Sequence, residues 1–145
     1  MTSVCAILRS KAREVVTIEP SATALAAAQR MNLHRIGCLV VIEPRGGEIV
    51  GIVSERDILT RLVAEERDPR ITTVHDIMTR GVICCTPETP VQELRAVMQS
   101  RRVRHVPVTD DNGLCGLVSI GDLNAFEAAG LTATIATLES YITSG

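Results

Sequence analysis

Gly51-Ile52-Val53-Ser54-Glu55-Arg56-Asp57 returns as Gly116-Leu117-Val118-Ser119-Ile120-Gly121-Asp122, sixty-five positions later. Both copies follow a glycine-containing loop and run into a stretch of helical character, so this repeat decides the architecture. Upstream the repetition continues at a spacing of sixty-seven. Val15-Val16-Thr17-Ile18-Glu19-Pro20 matches Val82-Ile83-Cys84-Cys85-Thr86-Pro87, and Met31, Arg35, Ile36 and Val41 match Met98, Arg102, Val103 and Val108. The difference of two residues falls in a turn, Glu43 to Glu48 against Asp110 to Gly113, where a duplicated hairpin tolerates a change of length.

Each copy reads as strand, helix, strand, strand, helix. The first has a strand over Glu14 to Ile18 and a helix over Ala24 to His34. Ser21 or Thr23 stands at the cap of that helix, with Leu25, Ala28 and Met31 on one face. Strands follow over Cys38 to Ile42 and Ile49 to Val53, then a helix from about Glu55 to Glu65. The second copy repeats this with Val82 to Cys85, a helix over Val91 to Arg101, strands Val106 to Thr109 and Cys115 to Ser119, and a helix from Asp122. The apolar strands imply sheets covered by helices on at least one face. The expected fold class is α/β (α+β), with two pseudo-symmetric β-α-β-β-α motifs packed through their sheets into one module, because a unit of about sixty residues is marginal alone.

The first motif is expected over residues 1–66, a linker over 67–76 with Pro69 as a stop, the second motif over 77–130, and a closing helix within 131–145. Val74-His75-Asp76-Ile77-Met78-Thr79 reads as a short lead-in helix whose counterpart is Val4-Cys5-Ala6-Ile7-Leu8-Arg9.

With 145 residues and 46% hydrophobic composition, the chain is long and apolar enough for a real core. A formal net charge of −2 gives no electrostatic case for nucleic acid or an anionic membrane. Phe126 and Tyr141 are the only aromatics, too few for platforms that stack bases. No apolar run approaches the roughly twenty residues that cross a bilayer. The beginning lacks the basic and apolar regions of a signal peptide, so a cytoplasmic location is expected. The five cysteines include no C-x-x-C pair, and Cys38, Cys84, Cys85 and Cys115 fall in or beside strands, where buried and inert thiols are expected.

Ser-x-x-Asp between a strand and a helix fits two roles. It is a variant of the capping box, in which the serine accepts from an orphan helix amide and the acid favours the positive helix end. It also suits binding, since a helix start attracts phosphate and a carboxylate can accept from both hydroxyls of a ribose. Arg101, Arg102, Arg104 and His105 stand between helix and strand in the second copy, and the planar fork of arginine clamps phosphate. Gly37 and Cys38 occupy the positions equivalent to Arg104 and His105. The two sites are therefore chemically unequal, and at most one strong site, centred on Asp122, is expected.

G-h-V-S-x-x-D in both halves, with Arg104-His105-Val106-Pro107-Val108 before the second, resembles a tandem pair of CBS domains, the regulatory module called after cystathionine β-synthase. The resemblance covers essentially the whole chain. Leu138-Glu139-Ser140-Tyr141-Ile142 and the segment Val118 to Asp122 are similar to small stand-alone two-CBS proteins. The resemblance implies two clefts that hold adenosine nucleotides, with AMP first and ATP, ADP or NAD as alternatives. It implies ribose binding by Asp122, with Ser119 and Gly121 beside it, and phosphate contacts from Arg104, His105 and Arg102. Val82, Ile83 and Pro107 would line the adenine slot. In the other cleft it implies roles for Asp57, Ser54, Arg56 and Thr17. It further implies a homodimer, a disc of four motifs, with the helix Ala24 to Met31 and the segment around Phe126 to Leu131 as candidate surfaces.

The expected function is a non-catalytic sensor that signals to an unidentified protein in trans. The alternative is an interaction scaffold without a nucleotide. His34, His75 and His105 are scattered singly and form no constellation with an acid and a nucleophile, which argues against an enzyme.

Overall fold

The computed structural model describes residues 2–11 and 14–130. The chain runs through α1 (Val4–Ser10), β1 (Thr17–Ile18), α2 (Ala24–His34), β2 (Cys38–Ile42), β3 (Ile49–Ser54), α3 (Glu55–Asp57, continued by a π-helix, Ile58–Val63), α4 (Val74–Ile77), α5 (Val91–Arg101), β4 (His105–Asp110), β5 (Gly113–Ser119) and the helical residues 120–130, α6. The closing helix expected within 131–145 lies outside the described residues.

β1 pairs parallel with β2, and β2 antiparallel with β3, through Thr17↔Val40 and Val40↔Ile52. In the second repeat β4 and β5 pair antiparallel through Val106↔Val118. The strand expected over Val82 to Cys85 reduces to one parallel bridge, Cys85↔Val108, the counterpart of Ile18↔Val41. Its ladder is held by Cys85 N–H to the Pro107 carbonyl (3.0 Å) and Thr109 N–H to the Cys85 carbonyl (2.8 Å). Val82 and Ile83 line a cleft instead.

Thr23 caps α2 by accepting from the Ala26 amide at 3.1 Å. The buried face of α2 is Ala24, Ala27 and Met31, one position off the expected Leu25 and Ala28, which are only half-buried. The helix expected from Glu55 to Glu65 begins as one α-turn and widens into a π-helix. Such segments gather at functional sites.

Two apolar cores form, and each borrows a lead-in helix from the other end of the repeat order. Val74, Ile77 and Met78 of α4 and its end pack with Ile18, Leu39, Val41 and Val53 of the first repeat. Val4 and Ile7 of α1 pack with Leu94, Val106, Val108, Val118 and Leu123 of the second. α1, placed with the first motif on sequence order, thus completes the second core.

Cys38 is buried as expected, but Cys84 and Cys115 are exposed and Cys85 lies between these extremes. At the short parallel bridge and at the β4–β5 bulge these strands do not cover both faces. Phe126 is half-buried against the second core. With Ala24, Ala27 and Met31 spent on the first core, the large apolar side chains that helices leave exposed among the described residues are Leu33, Leu59 and Val63. Among the described residues no helix is long and apolar enough to cross a membrane.

Candidate functional site: two unequal clefts

Both copies of the repeated motif form reciprocal caps. Ser54 Oγ accepts from the Asp57 amide at 3.2 Å, while Asp57 Oδ2 accepts from the Ser54 amide at 2.9 Å. Ser119 Oγ accepts from the Asp122 amide at 3.0 Å, and Asp122 Oδ2 from the Ser119 amide at 2.8 Å. The capping reading of Ser-x-x-Asp therefore holds in both halves, and both aspartates also line clefts.

The Asp57 cleft has a volume of about 840 Å³. Ser54, Asp57 and Arg56 of the first repeat face Val82, Ile83, Arg102, Val103 and Arg104 of the second across it. The Asp122 cleft, of about 510 Å³, is its mirror: Ser119 and Asp122 face Val15, Val16, Arg35, Ile36, Gly37 and Cys38. Each cleft thus combines the motif of one repeat with the first strand region and helix–strand corner of the other. Gly37 and His105, at the entrances of β2 and β4, border both clefts. Their neighbourhood is pinned by Glu55 N–H to the Gly37 carbonyl and Ile120 N–H to the Arg104 carbonyl, both at 2.9 Å.

This crossing overturns the grouping read from the sequence. Arg102, Arg104, Val82 and Ile83 stand with Asp57, not with Asp122, and of the basic group only His105 borders the Asp122 cleft. Sequence proximity placed Arg104 beside Ser119 and Asp122, and the backbones are indeed adjacent. The walls facing Asp122 come from the other repeat. Pro107 is buried in β4 opposite Leu117, and Thr17 lies in β1 with its carbonyl accepting from Arg30 at 2.7 Å. Gly121 is exposed in the first turn of α6. None of these three lines either cleft.

Two residues that sequence reading missed hold the aspartates. Thr79, after α4, donates from its hydroxyl to Asp57 Oδ1 at 3.1 Å. Lys11, after α1, donates to Asp122 Oδ2 and to the Leu117 carbonyl, both at 2.7 Å. The signal was the pairing of the two lead-in segments, which places both residues just past equivalent helices. Arg61, on the π-helix, is 3.8 Å from Asp57 Oδ1 and donates to the Met78 carbonyl at 2.8 Å. Arg35 and Arg102, at equivalent helix ends, both take left-handed backbone angles, φ 53° and 54°. For a residue with a Cβ this costs roughly 1–2 kcal/mol, a strain typical of functional corners.

The electrostatics differ accordingly. Arg56, Arg61, Arg102 and Arg104 surround the Asp57 cleft against Glu55 and Asp57. Lys11 and Arg35 balance Glu14 and Asp122 in the other. Burial lowers the pKa of His105, with Arg104 and Lys11 acting in the same direction against Asp122 and Glu55. Partial burial pushes the Asp122 carboxyl up, but the bonds from Lys11 and Ser119 outweigh it and hold the group below its usual range. Burial, aided by Asp57, pushes the Cys38 thiol up to about 12, so it is not a ready nucleophile. Among the described residues no three metal-ligating side chains gather.

Two β-α-β-β-α repeats sharing a pair of clefts, each closed by a serine–aspartate cap, define a paired regulatory module. The chain belongs to the CBS-domain family, whose model matches residues 8–64 and 74–128. A mitochondrial CBS domain-containing protein of Arabidopsis thaliana is 41% identical over 100 residues, which is 67% of this chain and 48% of that protein. The chain thus spans about half the length of that relative. A protein with CBS domains from Burkholderia ambifaria has a similar structure, with TM-score 0.82 and 37% identity over 88% of this chain and 95% of that one. A CBS domain protein from Pyrobaculum aerophilum complexed with AMP gives TM-score 0.74 and 28% identity, covering 83% and 89% of the two chains. A CBS domain pair in complex with 5-methylthioadenosine and S-adenosyl-L-methionine gives 0.78 and 27%, covering 90% and 98%.

Proposed function

We propose that this chain is a non-catalytic regulatory module that binds an adenosine nucleotide, AMP in the first place, in the Asp57 cleft and signals to a protein partner in trans. One observation carries the reading: four arginines, Arg56, Arg61, Arg102 and Arg104, stand around a cleft that also presents a capping aspartate. Guanidinium groups bind phosphate through paired donors. Val82, Ile83 and Ile52 offer an apolar slot for a base. Asp57 lines the cleft with 9% side-chain exposure and its Oδ1 accepts from the Thr79 hydroxyl, so a ribose hydroxyl would bind there by taking the place of Thr79. The complexes of similar CBS pairs with AMP or with methylthioadenosine support an adenosine ligand. A change of shape on binding requires that the nucleotide prefer one shape of the module over another.

Denaturing the purified protein and identifying released nucleotides by mass spectrometry names the ligand among AMP, ADP, ATP and NAD. Calorimetry with AMP then tests the cleft: Asp57→Asn and Arg104→Ala should each weaken binding at least tenfold. Unchanged affinity in both would overturn the assignment, and absence of any adenosine ligand would favour the scaffold reading. The module is also proposed to form a homodimer of four motifs, supported by the exposed Leu33, Leu59 and Val63. Sedimentation showing only monomer would count against it.

A further inference from the structure

The two aspartates are held by chemically different residues, each following a lead-in helix. Asp57 receives the hydroxyl of Thr79 at 3.1 Å with the Arg61 guanidinium at 3.8 Å, while Asp122 receives the ammonium of Lys11 at 2.7 Å. The Lys11 Nζ bridges Asp122 Oδ2 and the Leu117 carbonyl at 2.7 Å each, and its side chain lines the smaller cleft. We infer that Lys11 closes the Asp122 cleft to adenosine ligands by standing in for the ribose hydroxyls, which makes the chain a one-site receptor despite its two motifs.

The physical basis is competition for one carboxylate. A ribose hydroxyl would replace the 2.7 Å ion pair between the Lys11 ammonium and Asp122 with a hydrogen bond in which only the acceptor is charged. Lys11 is also tethered to the chain, so it forms this bond without the cost of association that a free ligand meets. Among the described residues Lys11 and Arg35 balance Glu14 and Asp122 in this cleft, so the competition concerns the ribose rather than a phosphate. In the Asp57 cleft the hydroxyl of Thr79 leaves the arginine surplus intact. Lys11 is therefore the residue that decides how many ligands the module takes. The inference rests on the reading that adenosine ligands enter these clefts, but its readout is a gain of binding at Asp122, independent of the Asp57 site.

The test is calorimetry of the full chain with AMP and with adenosine. Lys11→Met keeps the apolar stem and removes the ammonium. Wild type should bind one AMP per chain. Lys11→Met should gain a second equivalent of adenosine, at least tenfold tighter than any second adenosine binding in wild type. That gain should vanish in Lys11→Met/Asp122→Asn, and Lys11→Arg should stay closed. Thermal melting verifies that each variant folds. Two equal sites in wild type, or a folded Lys11→Met protein without a gained site, would overturn the inference. If Asp57→Asn leaves wild-type binding untouched while Lys11→Met still gains an Asp122-dependent site, the Asp57 assignment fails and the Lys11 inference stands.

Discussion

Gly51 lies directly against Met78: a Cβ built on the glycine would sit 2.6 Å from the Met78 sulfur and 2.8 Å from the Thr79 carbonyl oxygen. The first glycine of the repeated motif is thus the seat of a lead-in segment. Thr79 exchanges both backbone hydrogen bonds with Ile52 there, at 2.8 and 3.0 Å. Gly116 plays the same part for α1, where a Cβ would meet the side chain of Leu8. The motif glycines thereby set the distance between each aspartate and the residue that holds it.

Gly51→Ala should destabilise the protein by about 1–3 kcal/mol, the range for forced overpacking. Gly116→Ala should cost less, because the obstacle is the flexible end of Leu8 rather than backbone. Urea unfolding of both variants measures this, and a larger loss at Gly116 would refute the account.

Ile7→Ala should cost about 2–5 kcal/mol as a large-to-small change at a fully buried site. The loss should register in the second repeat, so amide exchange should speed up in β4 and β5 before β2 and β3. Equal loosening of both sheets would contradict the exchanged helices.

Ser119→Ala should cost about 1 kcal/mol, as for an ordinary cap. Ser54→Ala should cost more, because the Ser54 hydroxyl also donates to Asp57 Oδ2 at 3.1 Å, and Asp57 is nearly buried. Thermal unfolding of the two alanine variants compares them. Equal costs would mean that the Asp57 carboxylate gains nothing from the hydroxyl.

His105 gives the unliganded protein a pH dependence. Its folded pKa lies below the ordinary value of about 6.5, so the unfolded chain takes up the proton first. Stability should fall as pH drops from about 6.5 toward the folded value and level off below it. His105→Asn should flatten this part of a stability-against-pH curve, and an unaltered slope would assign it to another group.

Local signals were legible in the sequence because local physics decides them. The helices Ala24–His34 and Val91–Arg101 and the strand Cys38–Ile42 have the expected bounds, since caps, periodicity and apolar runs are properties of neighbours in the chain. The widening of α3 into a π-helix is invisible to that reasoning, because Ile58 to Val63 follow an ordinary helical pattern. The division of the site was not legible either. A repeat alignment states that Gly37 corresponds to Arg104, but not which aspartate each one faces. That depends on packing between repeats, which put Arg104 opposite Asp57 and left Gly37 and Cys38 opposite Asp122. Lys11 and Thr79 escaped notice because each contacts an aspartate distant in sequence.

The exchanged lead-in helices also govern how the chain can be divided. A cut after residue 66 separates the first sheet from α4 and leaves α1 carrying Val4 and Ile7 with no core to enter. Each fragment then exposes an apolar groove shaped for a helix that the other fragment holds. Two such halves are poor domains but good complements, and mixing them should restore a module that neither can form alone.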